Sequence, residues 1–121
     1  MNREAVETYI KDKYNALPEH LWNTYPNYEA FRHGDNRKWF ALIINASWTN
    51  DEDDNIDELG KEVDILNVKC PTDMVSTLVN QKGYCRAHYM NRNHWIGIIL
   101  DGTVSDSEIC NLIDNSFDLI S

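Results

Sequence analysis

The chain has 121 residues, 42% of them hydrophobic and 26% charged, with three cysteines and a formal net charge of −9. This length and balance suit one globular domain, residues 1–121, with a core of its own, and exclude a disordered or disulfide-stapled chain. No apolar run approaches the roughly 18 residues of a membrane span, "MNREAVETYI" lacks the apolar stretch of a secretory leader, and Cys70, Cys85 and Cys110 are too scattered for a disulfide framework or a CxxC zinc site. A cytoplasmic protein with reduced thiols and no membrane contact is expected.

From Asn2 to Leu17 the apolar positions Val6, Tyr9, Ile10, Tyr14 and Leu17 recur at steps of three and four, and Pro18 stops the pattern, which predicts an amphipathic helix. "TYPNYEAFRHGDNRKWFALIINASW" then carries spaced aromatics, the turn-rich His33-Gly34-Asp35-Asn36, and the apolar run Trp39 to Ala46; two strands in a hairpin follow from that. The next segment holds most of the acidity. Between Asp51 and Asp64 lie eight acids against Lys61 alone, a local −7, so the rest of the chain sums to only −2. "EVDILNVKC" reads as a third strand, with Val63, Ile65 and Asn67 on one face and Leu66 and Val68 on the other.

Pro71 suits a first helical turn, Asp73 complements its positive end, and Met74, Val75, Leu78 and Val79 form a stripe before Gly83, which predicts a second helix. "YCRAHYM" and "HWIGIIL" flank Asn91-Arg92-Asn93 and predict a second hairpin with a short loop. Ser105 with Glu108 forms a capping box, and Val104 with Ile109 has staple spacing, so a last helix starts there and buries Ile109, Leu112 and Ile113. The order is α-β(3)-α-β(2)-α. Short links between neighbouring strands predict a mostly antiparallel five-stranded sheet with helices packed on it, a two-layer α+β sandwich.

Four chemistries are conceivable on these elements. Asp51, Asp53, Asn55 and Glu62 have the spacing of calcium-loop ligands, but Ile56 stands where the sharp turn needs glycine, which favours a solvated acidic loop. His88 and His94 face across the second hairpin with Cys85 or Cys70 nearby, yet neither HxxxH nor CxxC spacing is present, and no metal is expected. No serine sits in a glycine-flanked elbow, no glycine-rich loop follows a strand, and Cys85, the thiol with cationic neighbours, has no oxyanion hole specified; no catalytic residue or cofactor is expected. From Met74 to Leu100 there is no acid, while Lys82, Arg86 and Arg92 supply positive charge beside His88, His94, Tyr84, Tyr89 and Trp95. Those residue types suit a β-wing on nucleic acid, but three cations are few, and the residues alone favour a structural hairpin with solvated charges.

The motifs "NRKWFALI", "LNVKCPTDM", "MNRNHWIGIILDG", the Ser105 capping box and "LIDNSFDLI" together resemble the MmcQ/YjbR family, from about Tyr25 to Ile120, with Lys38, Trp39, Lys69, Pro71, Met90, Asn91, His94 and Trp95 matching the pattern. The chain departs from it at Arg86-Ala87-His88-Tyr89-Met90, where family members carry Pro and the reverse order of Tyr and His, while His94 is retained. The resemblance implies a fold similar to type III secretion chaperones, in the order read above. It also implies binding of double-stranded DNA by two β-hairpin wings, around Gly34 to Arg37 and around Asn91 to Asn93. Arg37, Lys38, Arg86 and Arg92 would then contact phosphates, and Asn91 and His94 would approach base edges. The alternative is a non-enzymatic adaptor or chaperone-like module that binds a protein or peptide partner.

Overall fold

The computed structural model describes residues 1–48, 61–87 and 90–120. The calcium-loop reading on Asp51, Asp53, Asn55 and the Glu62 side chain lies outside the described residues, as do His88 and Tyr89 of the second hairpin.

Asn2 opens the first helix, α1 (Arg3–Tyr14), by accepting the Ala5 N–H on its side-chain oxygen at 2.9 Å. Asn15 closes it in the left-handed region, with φ 54°, and its N–H returns to the Lys11 carbonyl. The helix therefore ends one turn before the predicted stop, and Leu17 is left 63% exposed. Five strands follow: β1 (Glu29–Arg32), β2 (Trp39–Trp48), β3 (Lys61–Lys69), β4 (Tyr84–Arg86) and β5 (Trp95–Ile99). Two more helices, α2 (Thr72–Leu78) and α3 (Asp106–Leu119), complete the α-β(3)-α-β(2)-α order. The strands form one antiparallel sheet in the order β1-β2-β3-β5-β4, and the α+β class predicted from the sequence is the class observed. Pro71 stands at the N-cap of α2 rather than inside its first turn. The Ser105 hydroxyl accepts the Glu108 N–H at the start of α3, but the Glu108 carboxylate turns to the Tyr84 hydroxyl, so only half of the capping box forms.

All three helices cover one face. Val6 and Ile10 from α1, Val75 and Leu78 from α2, and Ile109, Leu112 and Ile113 from α3 pack on Leu66, Val68, Ile96 and Ile98. The alternate positions Leu42, Ile44, Ile65 and Ile99 point the other way, where Trp22 and Tyr28 from the segment after α1 join them. Strand alternation alone would send Phe40 to that second face. Instead Phe31 pairs with Ala41 and Arg32 with Trp39, so Phe40 is an extra residue in β2 and turns toward the helices beside Ala41.

This bulge interrupts the β2–β3 ladder, whose pairing starts only at Ala41 and Val68. Fully buried Ser116 of α3 repairs the gap: its hydroxyl donates to the Phe40 carbonyl at 2.6 Å and accepts the Lys69 N–H at 2.9 Å. One side chain thereby satisfies two main-chain groups that the sheet leaves unpaired. A polar network on Arg3 fastens α1. Its guanidinium meets Asp64 at 2.8 Å, Glu29 at 3.1 Å and the Asn27 carbonyl at 2.6 Å. Burial opposes ionisation of Asp64, but the bonds from Arg3 and Asn45 outweigh it and hold the carboxyl below its ordinary value. Glu7 behaves oppositely, since a hydrogen bond to Glu29, then burial, push it up to about 7.

Two outcomes follow from these contacts. Ser116→Ala leaves the Phe40 and Lys69 groups without partners and is expected to cost about 1–3 kcal/mol in denaturant unfolding. The fold favours protonated Glu7, so its contribution is complete below pH 4.5 and is lost as pH rises through about 7. Glu7→Gln should therefore flatten the thermal-stability profile between these values and raise stability at pH 8 by about 1 kcal/mol after solvent screening.

Candidate nucleic-acid interface

Because every neighbouring pair is antiparallel, β1, β3 and β4 run one way and β2 and β5 the other. The β1–β2 turn and the β4–β5 turn therefore leave the same end of the sheet, and β3 ends between them at Lys69. Counting strand spacings of about 4.8 Å puts the two turns about 14 Å apart. Trp48 and Lys61, the residues from which the acidic segment departs and to which it returns, pair at the opposite end, about 30 Å away along the ten residues of β2.

The first turn is built around His33, which is 3% exposed. Its Nδ1 accepts the Asp35 N–H at 3.1 Å, so the neutral ring carries its proton on Nε2. The ring stacks on Phe117 of α3 at 3.9 Å, and Tyr14 of α1 stacks on Phe117 at 3.9 Å as well. The turn closes through His33 N–H to the Lys38 carbonyl and Arg37 N–H to the His33 carbonyl. Asn36 reaches the Ile120 carbonyl at 2.5 Å and accepts the Lys38 N–H at 2.9 Å. Arg37 occupies the left-handed region with φ 62°. Its side chain is 67% exposed and only 3.7 Å from Glu19, which pairs more closely with Arg32 at 2.9 Å. Lys38 is exposed.

The second hairpin joins β4, which ends at Arg86, to β5, which begins at Trp95. Asn91 organises the turn before β5: its side chain accepts the Asn93 N–H at 2.9 Å and its carbonyl accepts the His94 N–H at 3.1 Å, which spends those donors inside the turn instead of across the hairpin. The His94 carbonyl takes the Cys70 N–H, and Lys69 pairs with Trp95, so the turn is moored to β3 and to the start of α2. The His94 ring lies 3.4 Å from the Thr72 hydroxyl. Arg86, Asn91, Arg92 and His94 are all exposed.

The fold thus brings all six sequence-predicted residues to one end, and adds Arg32 and Lys69, whose part depended on the strand order. Glu19, Asp35, Asp73 and Asp118 supply the acids of that end. Lys82 is not there; it precedes β4 beside Gly83, whose carbonyl accepts the Ile99 N–H at the far end of the hairpin. Tyr84 and Trp95 are buried and serve the core, not a ligand surface. Among the described residues no group of three His, Cys, Asp or Glu side chains converges as metal ligands. Burial, then Asp73, push the Cys70 thiol up to about 11, and burial also raises Cys110, so both stay protonated at neutral pH.

A family model for YjbR matches residues 11–119. The chain belongs to the YjbR family. Its YjbR relative YyaQ from Bacillus subtilis (strain 168) is 40% identical over 119 residues, which cover 98% of each chain. A crystal structure of a Pseudomonas syringae protein is 34% identical with a TM-score of 0.88 over the whole of both chains, and a solution NMR structure from the same organism is 35% identical with a TM-score of 0.81, covering 100% of this chain and 94% of that one. A Deinococcus radiodurans crystal structure with a DUF419 domain is 17% identical and has a TM-score of 0.71 over 98% of this chain and 78% of that one, a likeness of fold.

The aromatic column makes the first YjbR turn separately breakable. His33→Leu removes the Asp35 acceptor and should cost about 1–2 kcal/mol. Amide exchange at Asp35 and Arg37 is expected to accelerate while Asn93 and His94 stay protected; equal acceleration at both turns would show that they move as one unit.

Proposed function

We propose that this YjbR-family chain is a non-enzymatic, cytoplasmic protein that binds double-stranded DNA through its two hairpin tips. The observation that carries the reading is the shared position of the tips, with Lys69 between them and the anchors of the acidic segment at the opposite end. A gap of about 14 Å is near the ~12 Å width of a major groove, so Arg37 and Lys38 on one tip and Arg86 and Arg92 on the other suit the phosphates that border one groove. Those anchors, Trp48 and Lys61, stand about 30 Å from the tips, several times the ~8 Å screening length at physiological salt. Asn91 and His94, exposed on the second tip, are the candidates for base edges. Exposed cations attract a polyanion without specifying sequence, so affinity is expected in the weak, salt-sensitive range of nonspecific binding.

Binding rather than catalysis is supported by the chemistry present. The Cys70 and Cys110 thiols are held protonated, which makes them poor nucleophiles at neutral pH. Among the described residues no helix is long and apolar enough to cross a membrane, and the three free cysteines suit a reducing compartment.

Fluorescence anisotropy with a labelled mixed-sequence duplex tests the proposal. Micromolar binding should fall steeply between about 50 and 200 mM salt, and Arg37→Ala and Arg92→Ala should each lower the log–log salt slope by about one, while Lys82→Ala leaves it unchanged. No binding at the lower salt, or equal effects of all three substitutions, would sink the two-tip arrangement.

A further inference from the structure

On the helical layer, away from the second face of the sheet, an open groove of about 640 Å³ runs between α2 and α3. Its floor is Met74, Leu78 and Leu112. Its rim carries the carboxylates of Glu108, Asp114 and Asp118, and no Lys, Arg or His lines it. The sign is set by the helices themselves: α2 and α3 contain Asp73, Asp106, Glu108, Asp114 and Asp118 and not one basic residue. The ammonium of Met1 pairs with Asp106 and Lys13 with Asp114, so the two helices remain net negative.

Two of the rim carboxylates are fixed in place by neutral donors. Tyr84 donates to Glu108, and Tyr9 and Tyr14 donate to Asp114 at 2.8 and 2.5 Å. Lys13 neutralises Asp114, whereas the Tyr84 hydroxyl orients Glu108 without cancelling its charge, so an incoming cation meets there an acceptor that needs little reorganisation. Between these charges the carboxamides of Gln81, Asn111 and Asn115 line the groove and make no hydrogen bond among the described residues. A carboxamide offers both donors and an acceptor, the complement of an extended main chain.

We propose that the α2–α3 groove docks an extended, cationic peptide segment with one apolar anchor. The anchor sits on Leu78 and Leu112, the peptide main chain meets Asn111 and Asn115, and flanking Lys or Arg side chains reach Glu108 and Asp118. From Glu108 to Asp118 α3 rises about 15 Å, the length of about four to five extended residues. Charge complementarity selects this occupant: a polyanion is repelled by the rim carboxylates, and an uncharged helix leaves them without a counter-charge. The groove and the tips are therefore binding surfaces of opposite preference on one chain.

The test is a ¹⁵N-labelled protein titrated with the blocked peptide Lys-Lys-Leu-Lys-Lys, alongside Lys-Lys-Gly-Lys-Lys and Glu-Glu-Leu-Glu-Glu. The expected result is saturable shifting of the Gln81, Asn111 and Asn115 side-chain amides with a Kd of about 0.1 mM, at least about fivefold weaker for the glycine peptide and absent for the acidic one. The double variant Asn111→Lys, Asp118→Lys, on exposed helix positions, should weaken the leucine peptide by about tenfold or more, with duplex binding undiminished. Should that variant misfold, the three peptides on the unsubstituted protein still decide the matter. Shifts confined to other surfaces, equal binding of the glycine peptide, or no saturation by about 2 mM would overturn the proposal.

Discussion

The Ser116 hydroxyl is the contact on which the arrangement of the cationic end of the sheet depends. A bulge at Phe40 turns that aromatic ring toward the helices, where it meets Phe117 edge-on at 5.0 Å, but it leaves one carbonyl of β2 and one N–H of β3 without ladder partners. Buried main-chain groups of this kind cost more than a typical hydrogen bond returns, so the bulge persists because α3 delivers a small donor–acceptor to the gap. The same helix, one residue on, supplies Phe117 to stack between Tyr14 and His33. A single turn of α3 thus holds the frayed ends of β2 and β3 and props the first hairpin turn.

Charge in this chain is separated by topology rather than balanced pairwise. The strand order puts two cationic turns and Lys69 at one end of the sheet and the tethers of the acidic segment at the other, and the helices α2 and α3 carry acids alone. A net charge of −9 therefore says little about the local potential at either surface. The partly buried pairs do a different task. Arg3 with Asp64 and Glu29 locks α1 to two strands, and removing Arg3 would leave the buried Glu29 carboxylate without that cation.

Much of the fold was legible because its signals are local. Ser105, Val104 and Ile109 mark the start of α3 through cap and staple, and Leu66 and Val68 against Ile65 mark the pleat of β3. The candidate site was legible as residue types on two turns, Arg37, Lys38, Arg86, Asn91, Arg92 and His94. What brings them together was not, since it rests on β3 pairing with β5 across the intervening α2 and β4. Phe40 and Trp39 are both large and aromatic, so hydrophobic pattern gives no hint of which one the bulge displaces. Ser116 reads as a solvated position in an amphipathic helix, and His33 as an ordinary turn residue; only the packing of α3 shows that both are buried. Asn91 and Asn93 mark the second turn in the sequence, but that Asn91 takes both the Asn93 and the His94 N–H shows only in the structure.

The placement of Ser116 also bears on the order in which the molecule assembles. It lies 76 residues from Phe40 and 47 from Lys69, and α3 follows every strand in the chain. Contacts so distant in sequence carry a high loop-closure cost and form after local hairpins have closed. A ribosome releasing this chain would expose β1, β2 and β3 with an unsealed gap at Phe40 until α3 emerges. The surface that presents the cations is therefore the last part of the sheet to become rigid, and a chain stalled before α3 would carry the charged turns without the geometry that spaces them.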